Sequence, residues 1–411
     1  MLFDFNVYSS LLLVPFLHAI IFAFLLFFRY RKEERLSDAL LGILLILNAI
    51  KIAYWMLGFA GWYDSHDTYT SFMFYFPFNN MLLLGPLIYF YFQSLTNAKF
   101  SFKHIHFYHL ILPIAYTILV VGKLIIDFGF YAPFENSEST QFGTKGPFSE
   151  IDKSKIFILS GYLSFVYYLI KTLQIFKAYR IYLQENFSST YKLDLQWLRN
   201  LLYLCGIGVI IFLIFDLIGL LTNGNSYRFE WYAYIGLGFV TYNLSIAGYY
   251  NHSDKWHLLA FNTNEPQKAD NELKAQNEDP ELNINPLPDI LPTEIEVWIE
   301  KLKVLMQDKE LFLEPQLTLS ELARHANTNP SNLSKVINIA TNQNFNDFIN
   351  EYRVKAVIEK FEAGQHQTQT LLGIAYDSGF NSKATFNRSF KKITGLSPKD
   401  YLLERHQTIS K

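Results

Sequence analysis

A short basic segment near the C-terminus carries side chains suited to binding a polyanion. Lys383, Arg388, Lys391 and Lys392 lie within ten residues that contain no Asp or Glu. Such cations neutralise nucleic-acid phosphates, and arginine can also donate two hydrogen bonds to a guanine edge. The plainer alternative is a solvated helix face. Residues 370–411 hold seven Lys or Arg against three Asp or Glu, which favours a polyanionic ligand.

Two short helices joined by a tight turn are predicted to present these cations, and the pattern occurs twice. The first copy is "LTLSELARHANTNPSNLSKVIN" and the second is "LLGIAYDSGFNSKATFNRSFKKITG". Between the copies, one continuous helix is predicted from about Phe345 to Phe361. At 1.5 Å per residue this helix spans roughly 25 Å, which would hold the two recognition helices about one duplex turn, ~34 Å, apart.

The segment from about residue 295 to 405 resembles the DNA-binding domain of AraC/XylS-type regulators. The second copy carries the diagnostic string Ile374-Ala375, Gly379-Phe380, Phe386, Arg388, Phe390-Lys391-Lys392, Gly395, Ser397-Pro398 and Tyr401. The first copy is looser, because Ile337-Asn338 stands where the family often has Phe-Lys. Asn342 stands where the family often has Gly, and Asn tolerates the left-handed end of a helix.

The resemblance implies double-stranded DNA as the ligand, RNA polymerase as a partner, and a homodimer as a possible assembly. It implies no cofactor, no metal and no catalytic residue. Carried over by position, the DNA-binding candidates are Ser331, Ser334 and Lys335 in the first copy, and Lys383, Ala384, Asn387, Arg388, Lys391 and Lys392 in the second.

The first 250 residues have a different character, typical of a membrane domain. Seven mostly apolar runs of about 20 residues are each long enough to cross a hydrocarbon core of ~30 Å. They cover roughly 9–29, 39–60, 72–92, 108–128, 156–176, 200–222 and 231–250. The predicted fold class is therefore all-α, with a seven-helix transmembrane bundle, a flexible linker and a double helix-turn-helix domain.

Lys and Arg near the ends of these runs predict the orientation. The loops after the first, third and fifth runs carry ten of them, and the loops after the second, fourth and sixth carry four. Because cytoplasmic loops are enriched in Lys and Arg, we expect an external N-terminus and a cytoplasmic C-terminal half. The expected location is the bacterial inner membrane, with several passes through the lipid bilayer.

Four polar residues fall inside the apolar runs, where polar side chains are costly. Lys51, Asn79, Asn80 and Asp216 come from three different runs and are expected at comparable depth. They are candidates for a pocket that binds a small molecule or senses another membrane protein. The alternative is that they only brace the bundle through hydrogen bonds or an ion pair.

Residues 251–292 are rich in Asn, Pro, Glu and Asp and lack a sustained apolar period, which predicts a flexible linker. The expected domains are thus residues 1–250 in the membrane, the linker, and residues 293–411 on DNA. The predicted function is a membrane-bound one-component transcriptional regulator. In the alternative, the bundle is an anchor that docks a partner membrane protein and binds no ligand. No hydrolase or nucleotide-binding motif is evident, so an enzyme is not expected.

Overall fold

The computed structural model describes residues 3–62, 74–78, 80–131, 146–151, 155–190, 193–221, 227–251, 259–261 and 292–409. Helices dominate these residues, and two isolated β-bridges join Asn97 to Ala260 and Phe187 to Thr318. The predicted all-α fold class is confirmed. Contacts group the chain into two units. Unit 1 contains Met1–Phe176 and Leu195–Ala260, and unit 2 contains Lys177–Asp194 and Phe261–Lys411.

Each of the seven apolar runs contains a helix. The helices are α1 (Val7–Glu33), α2 (Leu36–Phe59), α3 (Met81–Thr96), α4 (Ile111–Ile126), α5 (Lys155–Asn186), α6 (Gln196–Leu221) and α7 (Tyr227–Tyr250). Within the described residues, five segments are long and apolar enough to cross a membrane: Val7–Glu33, Leu36–Phe59, His106–Tyr131, Ile156–Asn186 and Gln196–Ile214. Their outward faces carry exposed large apolar side chains, as expected for contact with lipid.

The third apolar run differs from its predicted bounds. Helix α3 begins at Met81 instead of residue 72 and has 16 residues, corresponding to about 24 Å. Pro77 lies in the preceding non-helical stretch. Proline disfavours helical backbone at the residue before it, so it separates the helical residues 74–75 from α3.

A buried ion pair joins three helix ends of unit 1. The Arg29 guanidinium at the end of α1 donates two hydrogen bonds of 2.7 Å to the carboxylate of Asp38 near the start of α2. Its Nη1 also donates to the carbonyl oxygen of Tyr249, at 2.8 Å. The C-terminal ends of α1 and α7 therefore lie together with the start of α2.

Among the described residues of unit 2, seven further α-helices are found: α8 (Pro292–Lys303), α9 (Leu319–His325), α10 (Pro330–Thr341), α11 (Phe345–Glu362), α12 (Leu371–Tyr376), α13 (Lys383–Thr394) and α14 (Pro398–Ile409). They enclose two apolar cores. The first holds Leu322, Leu333 and Ile349, and the second holds Val357 and Phe390. The predicted linker falls mostly on residues 252–258 and 262–291, which lie outside the described residues.

Helix α11 connects the two cores. It begins at Phe345, as predicted, and continues to Glu362 without a break. Ile349 packs into the first core and Val354 into the second. Because one helix contributes to both cores, the two helix-turn-helix motifs share a common structural element. Between these residues lies the fully buried side chain of Arg353.

Candidate nucleic-acid interface

The first helix-turn-helix motif consists of α9 and α10. Helix α9 starts with a capping box, in which Thr318 Oγ1 accepts from the Glu321 backbone N–H and Glu321 Oε2 accepts from the Thr318 N–H. Helix α10 starts after Asn329, whose Oδ1 accepts from the Asn332 N–H at 2.8 Å. It ends at Asn342, whose positive φ of 53° is the left-handed end predicted from the sequence.

The second motif consists of α12 and α13. Gly379 lies in its turn with a φ of +89°. A Cβ at this position would lie 2.9 Å from Leu313 Cα and 3.0 Å from Arg353 Nε, and it would also collide with the Phe312 carbonyl oxygen. The turn therefore requires glycine for its backbone angle and for the close approach. Gly395 ends α13 in the same left-handed region, with a φ of +79°.

Helix α13 has an apolar inner face and a cationic outer face. Phe386 and Phe390 are buried, as predicted from their spacing. Apart from Ile393 near the end of the helix, the exposed positions are Lys383, Ala384, Asn387, Arg388, Lys391 and Lys392. They recur at the three- and four-residue spacing that defines one side of a helix. All six predicted DNA-binding residues of this helix are thus accessible to a ligand.

The recognition helix of the first motif carries less charge. In α10, Lys335 is exposed, whereas Ser331 and Ser334 are half-buried. Lys335 is the one charged residue in the sequence of this helix. Since phosphate binding is driven by positive charge, the second motif offers the stronger electrostatic attraction to a polyanion.

Lys392 has a partner that the sequence did not indicate. Its Nζ lies 2.8 Å from Asp347 Oδ2 on α11, and both side chains are partly exposed. An exposed pair of this kind contributes little to stability, typically about 0.2–1 kcal/mol. The Lys392 ammonium is therefore held at the edge of the cationic face by a weak, partly exposed ion pair.

Two further residues flank the cationic face. An open concavity of about 530 Å³ lies at the start of α13 and is lined by Tyr376, Asn381, Ser382, Lys383, Ala384 and Asn387. Tyr376 is 46% exposed although it belongs to a predominantly apolar helix. Neither Tyr376 nor Asn381 was expected from the sequence. An exposed aromatic residue beside a cationic helix was the signal that could have indicated the first of them.

Two of the four predicted pocket residues are described with their side chains, and both lie in one region of unit 1. Lys51 Nζ is 3.6 Å from Met81 Sδ and 5.8 Å from the centre of the Phe212 ring. Asn80, next to Met81, is 8% exposed and donates from Nδ2 to the Leu47 carbonyl oxygen.

The other two predicted pocket residues lie wholly or partly outside the described residues. Asn79 lies outside the described residues, as does the side chain of Asp216. Residue 216 itself belongs to α6, one helical turn beyond Phe212. Among the described residues, no group of three or more His, Cys, Asp or Glu side chains is arranged to hold a metal ion.

Comparison with known proteins supports the assignment of the C-terminal region. Residues 322–404 match the family described as "Helix-turn-helix domain". Similar curated proteins are uncharacterized HTH-type transcriptional regulators of Staphylococcus aureus, including those of strains COL, MSSA476 and N315. Each is 33% identical over 96 residues, which cover 23% of this chain and 12% of the relative. No solved structure matches the chain.

Residues 322–404 therefore form a helix-turn-helix domain similar to that of HTH-type transcriptional regulators, in agreement with the resemblance seen in the sequence. The aligned part is a small share of both proteins, since the chain spans only 12% of the length of these relatives. The family match is confined to residues 322–404 and does not include the apolar helices of unit 1.

Proposed function

We propose that this protein is a membrane-bound one-component transcriptional regulator that binds double-stranded DNA through α10 and α13. The observation that carries this proposal is the exposed face of α13, a helix of the helix-turn-helix domain that contributes four cations and no acidic residue of its own. Lys and Arg on this face suit phosphates and guanine edges. RNA polymerase is the partner through which such a regulator would act, and a homodimer would present two copies of the site.

DNA recovered with the tagged full-length protein tests this proposal when it is sequenced. We expect enrichment of a defined set of sites. Arg388→Ala should weaken binding to these sites by ~1–3 kcal/mol if Arg388 contacts a base edge. Arg405→Ala is the matched control, because Arg405 is an exposed arginine paired with Glu362 outside the face of α13. Equal effects of the two changes would contradict the proposed site.

The proposed location is the bacterial inner membrane, with the N-terminus outside and the DNA-binding domain in the cytoplasm. Five apolar helices and the bias of Lys and Arg toward alternate loops support it. The Arg29 contacts also support it, because they hold the end of α7 beside the basic loop that follows α1. A reporter fused after Tyr250 should be active only as a cytoplasmic reporter. One placed near Asn136 should be active only as an external reporter, and the reverse result would refute the orientation.

The proposed signal enters through the membrane half, at the region of Lys51 and Asn80. The Asn80 Oδ1 atom is buried with no hydrogen-bond partner among the described residues, as expected of a group that a ligand could satisfy. Lys51→Met should then leave protein abundance near normal but abolish any stimulus-dependent difference in transcription. If Lys51 only braces the bundle, abundance and transcription should fall together. An intact response at normal abundance would favour the alternative of a bundle that only docks a partner protein.

A further inference from the structure

The segment Phe187–Thr190, which we name the docking segment, connects α5 and α6 in the chain but belongs to unit 2 by its contacts. All four of its residues are buried, with Ser188 at 0% exposure. Loops between secondary-structure elements usually run over the protein surface, where water satisfies their peptide groups. Three peptide groups of the docking segment, the Phe187 carbonyl and the Ser188 N–H and carbonyl, are instead paired with residues of the C-terminal region.

The docking segment is bonded to the helix that joins the two motifs. Asn346 Nδ2, on the first turn of α11, donates to the carbonyl oxygens of Phe187 and Ser188 at 3.0 and 2.9 Å. Asn346 is 5% exposed, so these two bonds are shielded from water. Leaving a buried polar group without its hydrogen bond costs more free energy than leaving an exposed group without one. The Asn346 amide therefore holds the docking segment strongly.

The docking segment also contacts both helix-turn-helix motifs. The Ser188 N–H donates to the Leu317 carbonyl oxygen at 3.1 Å, just before the capping residue of α9. On the other side, Ser189 Oγ donates to Asn381 Oδ1 at 2.7 Å. Asn381 directly precedes Ser382, the capping residue of the recognition helix α13. Residues 187–189 therefore connect the starts of helices that belong to different motifs.

Arg353 completes this junction. Its guanidinium donates to Ser188 Oγ at 3.2 Å and to the carbonyl oxygens of Phe312 and Glu314 at 2.8 and 2.7 Å. It also lies 5.9 Å from the centre of the Phe380 ring in the second motif. Burial lowers the pKa of Arg353 to about 9, with Glu314 acting in the opposite direction, so the group stays charged at neutral pH. A buried charge requires its hydrogen-bond partners, and Ser188 supplies one of them.

From these contacts we propose that the docking segment fixes the two helix-turn-helix motifs in the arrangement that binds DNA and carries the membrane signal to them. This inference rests on the proposed function and names the route of its regulation. A displacement of α5 or α6 would withdraw Ser188 and Ser189 from Asn346 and Asn381. The two recognition helices would then lose their fixed spacing, and ordering them again on DNA would reduce the affinity.

A disulfide tests the contact itself. In the full-length protein with its single cysteine removed by Cys205→Ser, the pair Ser189→Cys and Asn381→Cys should crosslink under mild oxidation in membranes. A protease site placed within residues 262–291 would show the bond, because the two fragments would remain joined until reduced. The control pair is Ser189→Cys with Gln365→Cys. Gln365 follows the far end of α11, which lies about 24 Å from Asn346 along the helix, so this pair should not crosslink.

Measurements of DNA affinity test whether the docking segment affects DNA binding. Asn346→Ala should lower the affinity of the full-length protein for its enriched sites by about fivefold or more, since it removes two buried hydrogen bonds. In the same variant, the oxidised Ser189→Cys and Asn381→Cys pair should restore the affinity relative to its reduced form. Simple unfolding of the domain would not be rescued in this way.

These experiments distinguish a failure of the docking proposal from a failure of the proposed function. If the wild-type protein enriches defined DNA sites but the 189–381 pair does not crosslink, or the oxidised pair does not restore affinity, the docking proposal is wrong. An unchanged or raised affinity for Asn346→Ala would also overturn it. A protein that crosslinks as expected but enriches no DNA would refute the proposed function, and the role in signalling would fall with it.

Discussion

Replacing Gly379 by alanine tests how closely the second helix-turn-helix motif packs on the chain before the first. Gly379 has a φ of +89°, in the left-handed region that alanine adopts only with strain. Its missing side chain also leaves room for the backbone at Leu313, because an added Cβ would lie 2.9 Å from Leu313 Cα. Gly379→Ala therefore combines a backbone cost with a steric cost.

The two costs can be separated with Gly395. Gly395 has a similar φ of +79°, but an added Cβ would meet no atom within 4 Å. Gly395→Ala should thus cost only the left-handed conformation, roughly 1–2 kcal/mol in the free energy of unfolding. Gly379→Ala should cost this amount plus about 1–3 kcal/mol for displacing packed atoms. Its total of about 2–5 kcal/mol is a large part of the roughly 5–15 kcal/mol typical of a domain.

Hydrogen exchange of the full-length protein in nanodiscs measures both effects. For amides of α13 that exchange through unfolding of the domain, each 1.4 kcal/mol lowers protection about tenfold. We expect protection to fall about 5- to 150-fold further in Gly379→Ala than in Gly395→Ala. Equal losses in the two variants would show that the close approach to Leu313 is absent. The steric part of the reasoning would then be refuted.

Three other changes have predictable effects. Lys392→Ala should lower affinity for all DNA sequences similarly and reduce the slope of log affinity against log salt concentration by about one unit. Asp347→Asn should raise DNA affinity by less than about 1 kcal/mol, because it releases Lys392 from a weak ion pair. Both effects are measured by salt titration of DNA binding. The hydrogen bond from Lys355 is the main cause that lowers the pKa of Glu351 below its ordinary value of 4.5; burial opposes this shift and Gln343 adds to it. The resulting stability is present above that pH and is lost as pH falls below it. Glu351→Gln should therefore flatten the stability curve at pH values below 4.5 in acid denaturation, and an unchanged curve would contradict this assignment.

Local patterns were sufficient to predict most of the helices. The apolar spacing of Phe386 and Phe390 indicates which side of α13 is buried, and the break at residues 327–330 indicates the turn before α10. Such signals depend on neighbours within one or two helical turns. The start of α3 was missed because a continuous apolar run conceals the effect of Pro77, whose restriction is on the backbone and not on hydrophobicity.

The docking segment could not have been predicted in this way. Ser188 belongs to a short polar stretch that resembles any loop between membrane helices. Its partners Asn346 and Arg353 are 158 and 165 positions away in the chain. Contacts of this kind leave no periodic signal in a single sequence. The pairing of Lys392 with Asp347 was missed for the same reason, since an exposed charge gives no indication of its partner.

If residues 251–292 are flexible, as predicted, they cannot transmit a small displacement from the membrane half to the DNA-binding domain. A flexible chain of the roughly 40 residues predicted for the linker has a typical reach on the order of 35 Å, so a displacement of a few ångströms at one end would not be felt at the other. Helix α5 behaves differently. Its 32 residues correspond to about 48 Å, which exceeds a hydrocarbon core of ~30 Å, and it contributes residues to both units. Helix α5 ends at Asn186, immediately before Phe187. In the proposal made above, the signal therefore reaches the docking segment through α5 and not through the linker.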